Sequence, residues 1–375
     1  MIKVSVIITA YNNSHNLEQC LNSLINQDYN HNLIDLEIII VDSGSTDNSI
    51  EILNKYKDKI KVVIKPQHFP HLSPAMARNI GVQNSTGDVL IFSDSDCIFP
   101  SNWVKDVATS FKDPQVDCVI GSREPDVGKG WGTFIRRYDF ILYSNKFQIS
   151  KPVLINEKNL QENTPFILLS GNNFVIKKEL WNRLGGMKTV FRHPAGEDIM
   201  LEVEIIKGGY NILFYPESKV VHVHPLSLTE VFRKMLPRSE AIYLLSKYSN
   251  DFVNWRHFAE RGHILNVKNF FIGLLFVILF ILTAFLSSIS ALLILFILLS
   301  VVISMRIIQL IRTKKRLELI LNTKKEKCKK DYQLSLFKLF CFLQIHFLLK
   351  SLALINFSIC LLKDKYAFNK KTVNN

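Results

Sequence analysis

Val89-Leu90-Ile91-Phe92-Ser93-Asp94-Ser95-Asp96 decides how this chain is read: a short apolar run ends in two aspartates spaced two residues apart. Continuous apolar residues bounded by Gly87 and a polar turn fit a strand buried on both faces, the habit of parallel sheets. Ligands of open α/β sheets bind beyond the carboxyl ends of such strands, which is where Asp94 and Asp96 fall. Carboxylate oxygens there suit a hard divalent cation and the phosphates it bridges.

Working outward, the same pattern recurs on the N-terminal side. Residues 3–10 are almost continuously apolar, and Leu17, Cys20, Leu21, Leu24 and Ile25 follow at helical spacing after a turn at Asn12-Asn13. Leu36 to Val41 reads as a second strand ending at Asp42, Gly44 to Asp47 as a turn and N-cap, and Ile50, Leu53 and Tyr56 as a helix face. A short strand at 60–64 precedes Ser73-Pro74, an N-cap with a first-turn proline, for a helix through Ala77, Ile80 and Gly81 that Gly87 is expected to stop. Beyond Asp96, Ser101 is the expected cap of a helix bearing Trp103, Val107 and Phe111. Alternating strands and helices predict an α/β fold with a mostly parallel, Rossmann-like sheet.

The stretch 122–165 has no clear period and reads either as an excursion shaping the acceptor side or as surface loop. A strand within 166–176, broken by Gly171-Asn172-Asn173, leads to a helix at Lys178–Leu184 closed by Gly185-Gly186. Glu197 and Asp198 then open another helix, where the positive dipole end favours acids. Tyr210–Phe214 and Lys219–Val223 read as closing strands, and 226–262 as an amphipathic helical connector.

Charge divides the chain. Of 375 residues, 1–262 hold 29 Lys and Arg against 29 Asp and Glu, while 263–375 hold 17 against 4, so the excess of +13 lies wholly in the tail. That tail also has the longest apolar runs, which points its cations at anionic lipid headgroups rather than nucleic acid. A catalytic domain over 1–225, the connector, and a membrane anchor over 263–375 are expected: a helical hairpin at about 270–311, a basic loop at 312–332 and a third apolar helix at about 334–362, with the crossing count open. Met1–Ile8 lacks the pattern of a signal peptide, so the catalytic domain is expected on the cytoplasmic side of the cell membrane. The six cysteines show no CxxC pair and no metal-like spacing with histidine, and read as reduced, mostly buried thiols.

Five motifs in order carry a resemblance: Thr9-Ala10-Tyr11-Asn12, Val41 to Asp47, Ala77-Arg78-Asn79-Ile80-Gly81, Asp94-Ser95-Asp96 and Glu197-Asp198. Together they resemble the inverting glycosyltransferases of family 2, which have the GT-A fold and use nucleotide-diphosphate sugars. The tail resembles the membrane anchors of many bacterial members. The resemblance implies that Ala10, Tyr11 and Asn12 line a nucleobase pocket, with Asp42 accepting from the base imide. It implies that Arg78 orders the nucleotide site, that Asp94 and Ser95 lie against the ribose or donor, and that Asp96, joined by His222, ligates Mg²⁺ or Mn²⁺. Gly171, Asn172 and Asn173 would stand near the acceptor, Glu197 would orient the site, and Asp198 would be the general base.

The family's usual second acid after the first aspartate is Ser43 here, and the further aspartate past the acidic pair is Met200. No QxxRW follows, which favours addition of a single sugar over processive polymerisation. The expected partners are a nucleotide-diphosphate sugar, a lipid-linked or glycan acceptor and membrane lipids, in surface polysaccharide synthesis. The alternatives are transfer to a polyprenyl phosphate, whose ionised oxygen needs no strong base, and an inactive nucleotide-sugar-binding scaffold.

Overall fold

In the computed structural model, the residues described are 1–64, 72–111, 113–124, 130–143, 149–158, 171–223, 227–248, 307–320, 339, 341–345 and 358–359. A sheet of nine strands, β1 (Ile2–Ala10), β2 (Ile34–Asp42), β3 (Lys61–Ile64), β4 (Val89–Asp94), β5 (Cys97–Ile98), β6 (Cys118–Arg123), β7 (Val153–Ile155), β8 (Phe174–Lys177) and β9 (Ile212–His222), runs in the order β3-β2-β1-β4-β8-β6-β9-β5, with β7 pairing β9. Helices among the described residues include α1 (Ser14–Ile25), α2 (Ser49–Lys55), α3 (Pro74–Gln83), α4 (Trp103–Ser110), α5 (Trp131–Tyr143), α6 (Lys178–Leu184), α7 (Glu197–Lys207) and α8 (Leu228–Tyr248).

The sheet is continuously parallel through β3-β2-β1-β4, as the repeating strand-helix pattern predicts. Beyond β4 it becomes mixed, because β8 runs antiparallel between β4 and β6, while β6 and β9 are parallel. The expectation of a mostly parallel sheet is thus corrected in its second half, where chain reversals through long connections leave no local signature. One apolar layer packs β1, β2 and β4 against α1 and α4 through Leu17, Leu21, Leu24 and Trp103. The opposite face packs Ile7, Leu90 and Phe92 against α3, α6 and α7, with Phe92 stacked on Trp181 at 4.7 Å.

Several local expectations change. Ser73 caps α3 as expected, its Oγ accepting the Met76 N–H at 3.3 Å, but α3 ends at Gln83 and Gly87 does not stop it. Gly87 is instead required by a close approach: a Cβ there would overlap Ser5. Asn102, not Ser101, is the N-cap position of α4, and it makes no side-chain capping bond. The two closing strands are one, β9, and 122–165 contains α5 and β7, whose short or mixed patterns hide their periods.

Among the described residues, no helix is long and apolar enough to cross a membrane. The expected hairpin and third helix fall almost wholly outside the described residues. Residues 307–320 are helical, so Lys314, Lys315 and Arg316 sit on a helix rather than in the expected loop. Their composition favours helix, and Lys314 faces Glu318 at 3.7 Å one turn on.

Candidate active site

Three parallel strands end level with one another: Ala10 pairs with Asp42, and Thr9 with Asp94. Asp42 is fully buried and caps its own turn, with Oδ1 accepting the Gly44 and Ser45 N–H groups at 2.9 and 2.8 Å and Oδ2 accepting the Ser45 hydroxyl at 2.6 Å. Ser45 Oγ in turn accepts the Asn12 N–H at 2.9 Å, and Asn12 Oδ1 accepts the Thr46 N–H at 2.7 Å. Asn12 adopts the left-handed conformation, φ 47°, which asparagine tolerates better than most residues. The two strand-end loops are thereby laced together, leaving Tyr11 and Asn12 exposed at the rim above buried Ala10.

Arg78 stands at the centre of the next cluster. It is buried on α3, donating from Nη2 to Asp94 Oδ1 at 3.1 Å and from Nη1 to Glu197 Oε1 at 2.9 Å. Thr9 Oγ1 donates to the same Asp94 oxygen at 3.1 Å. Burial opposes the guanidinium charge, but Asp94, then Glu197 and Asp198, hold its pKa above the ordinary value. Burial first and the adjacent Asp198 charge second push Glu197 up to about 7, with Arg78 pulling the other way. Asn79, the next residue on α3, brackets Met187: its Nδ2 donates to the Met187 carbonyl at 2.9 Å and its Oδ1 accepts the Met187 N–H at 3.0 Å. α3 therefore anchors both the start of α7 and the segment that leads to it.

Asp198 lies beside Glu197 in the first turn of α7, its Oδ2 accepting the Gly171 N–H at 3.2 Å. Gly171 has no room for a side chain, because a Cβ would overlap the Arg78 guanidinium. The Asn172 carbonyl accepts from Ser93 Oγ at 2.6 Å. Arg78, Asp94, Gly171, Asn172, Glu197 and Asp198 are thus brought together at one end of the sheet.

Two of the sequence-predicted contacts turn inward instead. Asn173 spends its amide on the fold: Nδ2 donates to the Ser122 and Ser218 carbonyls at 2.8 and 2.9 Å, and Oδ1 accepts from Trp103 Nε1 at 3.1 Å. Ser95 is buried, with its Oγ accepting from Asn13 Nδ2 at 3.0 Å. It ties the Asp94–Asp96 turn to the entry of α1. No local pattern distinguishes these inward polar groups from outward ones, since their partners are far off in sequence.

Asp96 and His222 do meet, with Asp96 Oδ2 3.3 Å from His222 Nε2. The antiparallel pairing of β5 with β9 sets Cys97 directly opposite His222, and the Val223 N–H donates to the Asp96 carbonyl at 2.8 Å. One ligand atom from each of Asp96, Cys97 and His222 lies within 4.8 Å of the others. A carboxylate beside an imidazole is a donor set that fits a divalent cation. The sequence reading found no metal-like spacing between cysteine and histidine; pairing of two remote strands supplies it in space. Thr9 and Asn79, which the motifs already contained, join the Arg78 cluster and its support, whereas Cys97 was given no part and only its adjacency to Asp96 could have flagged it.

The comparisons with known proteins bear on the family and the fold. Residues 5–184 match the family described as Glycosyl transferase family 2. Glycosyltransferase AglE of Haloferax volcanii is 33% identical over 247 residues, 60% of this chain and 79% of its own length. A poly(ribitol-phosphate) beta-glucosyltransferase of Bacillus spizizenii is 34% identical over 130 residues, 34% of this chain but only 20% of that protein. Among solved structures, the mannosyltransferase PcManGT from Pyrobaculum calidifontis, in complex with GDP-Man and Mn²⁺, has a TM-score of 0.57 at 18% identity and covers 88% of each chain. That likeness shows the fold, a mixed α/β sheet of GT-A type. The chain is a glycosyltransferase and belongs to glycosyl transferase family 2.

Proposed function

We propose that the chain moves a single sugar, with inversion, from a nucleotide-diphosphate sugar to a lipid-linked or membrane-proximal acceptor during surface glycan synthesis. The observation that carries this reading is the convergence, through Arg78, of Asp94 from one strand end and the Glu197-Asp198 pair from a helix start 119 residues later than Arg78. In this reading the cluster supplies a donor-side carboxylate, Asp94, and a proton acceptor, Asp198.

In this reading the loops at Ala10–Asn12 and Asp42–Ser45 hold the nucleobase. Asp42, fully buried, keeps its turn rigid and so sets the Ala10–Asn12 loop against the base. Asp94 receives a donor hydroxyl, and its negative charge is steadied by Arg78. Asp96 and His222 hold the divalent cation, Mg²⁺ or Mn²⁺, which when bound offsets the charge that gathers on the departing diphosphate. Asp198 takes the proton of the acceptor hydroxyl as that oxygen attacks the anomeric carbon from the side opposite the diphosphate. Glu197, gripped by Arg78, holds the first turn of α7 so that Asp198 is aimed. The apolar, strongly basic tail supports an enzyme confined to the cytoplasmic face of the cell membrane, where a lipid-borne acceptor is concentrated.

A panel of nucleotide sugars, offered to the full chain with Mn²⁺ and lipid acceptors while diphosphate release is followed, tests the reading. Asp198→Asn is expected to abolish transfer to an alcohol. Activity toward a polyprenyl phosphate that survives Asp198→Asn would replace the alcohol acceptor with an already ionised one. Indifference of every donor to Asp96→Ala would refute catalysis at this site.

A further inference from the structure

We propose that Cys97 is a third ligand of the cation site, so that sulfur joins the oxygen of Asp96 and the nitrogen of His222. This inference rests on the reading that Asp96 and His222 hold the metal. Its ground is the strand register. Cys97 and His222 are direct partners in the antiparallel β5–β9 pair, and residues directly opposite each other project to the same face. Asp96 reaches both: its Oδ2 is 3.3 Å from His222 Nε2, and its Oδ1 is 3.9 Å from Cys97 Sγ.

A tetrahedral site with metal–sulfur and metal–nitrogen bonds of about 2.3 and 2.0 Å has ligand-to-ligand edges of roughly 3.3–3.7 Å. The three donor atoms lie within 4.8 Å of one another, so closure onto a metal requires side-chain movements on the order of 1 Å. The fourth position is left for a phosphate oxygen or water. Cys97 is fully buried, and a buried thiol surrounded only by hydrocarbon would be inert. Here the sulfur faces a carboxylate and an imidazole. Cys20, the other thiol buried in the same apolar layer, lies beside Cys97 with its Sγ 3.9 Å from the Asp94 carbonyl, but it is not among the three donors that lie within 4.8 Å of one another.

Coordination converts the Cys97 S–H into a metal–sulfur bond, and the proton passes to solvent, with no change of oxidation state. Two anions, one neutral imidazole and a divalent ion sum to zero charge, which suits a half-buried site. The sulfur also alters selectivity. Thiolate favours zinc, cobalt and cadmium, whereas magnesium demands oxygen, so the sulfur should strengthen the binding of late divalent metals and add nothing for Mg²⁺.

The test is titration of the full chain with Co²⁺ alone. The expected result is visible cobalt bands accompanied by a near-ultraviolet sulfur-to-cobalt charge-transfer band with single-site saturation. That band should vanish in Cys97→Ser and persist in Cys20→Ser and Cys341→Ser. Zinc affinity should fall about tenfold or more in Cys97→Ser, at least the scale of a lost outer-shell partner, while Mg²⁺ binding is unchanged. Cadmium NMR of the unsubstituted chain reads sulfur coordination without any variant, which keeps the question decidable should Cys97→Ser fail to fold. Cobalt bands with no charge-transfer band, or a cadmium resonance typical of oxygen and nitrogen ligands alone, would overturn the role of Cys97 and leave the Asp96–His222 site standing. Failure of cobalt to bind at all would overturn both.

Discussion

Arg78 Nη1 lies 2.9 Å from Glu197 Oε1, and the two side chains are both almost wholly buried. The pair joins a helix from the parallel half of the sheet to the helix that bears Asp198. Arg78 Nε and Glu197 Oε2 have no hydrogen-bond partner among the described residues, so the cluster is held by charge more than by complete hydrogen bonding. Such a pair is weak evidence of net stabilisation, but breaking it leaves an uncompensated charge inside the protein.

Arg78→Ala is therefore expected to cost about 3–5 kcal/mol of stability, read as a fall in the urea midpoint, because Glu197 is left buried without its cation. Arg78→Lys should recover part of the stability but not the activity, since an ammonium cannot reproduce the two-armed bridge to Asp94 and Glu197.

Glu197 sets a pH dependence. Its folded pKa, about 7, lies above the ordinary 4.5, chiefly because burial disfavours the charged form and Asp198 adds a like charge. The folded state thus binds the proton more tightly than the unfolded state, so this contribution to stability is complete below about pH 4.5 and is lost as pH rises through about 7. Denaturation midpoints measured across that window should decline with pH from this residue, and Glu197→Gln should flatten the decline. An unchanged slope in Glu197→Gln would show that another group is responsible.

Gly171→Ala should act through Arg78. The added methyl would occupy the space of the guanidinium, and overpacking of this kind costs typically about 1–3 kcal/mol. Because the damage is displacement of one side chain, Gly171→Ala and Arg78→Ala should be markedly non-additive in a double-mutant cycle of thermal or urea unfolding.

Asn173→Ala removes two donated hydrogen bonds and one accepted one, and strands the buried Trp103 indole N–H. A loss of about 1–3 kcal/mol for the stranded group is the scale to expect, so the variant should be destabilised. If Asn173 acts only in the fold, whatever activity survives should keep the wild-type acceptor preference, measured as relative kcat/KM on two acceptors.

Where several residues of the candidate site fall was legible in the sequence. The positions of Asp42, Asp94 and Asp96 at strand ends were legible because each follows a continuous apolar run, whereas the roles of Glu197 and Asp198 came from the family resemblance, their local mark being only that acids open a helix. Asp96 and His222 were paired by family resemblance, and they do lie together. The inward turn of Ser95 and Asn173, the mixed second half of the sheet and the sulfur beside the cation site were not legible. Each depends on a partner far away in the chain.

What the sequence alone determined is the set of strands and helices with strong periods, the acids placed at their ends and the division of charge between body and tail, all consequences of short-range spacing. Only the tertiary structure decided that Arg78 would grip Glu197, that Gly171 would be bare to admit it, and that Cys97 would stand opposite His222. The physical reason is register: antiparallel pairing and helix packing between remote segments choose which polar groups meet, and no local pattern of residues encodes that choice.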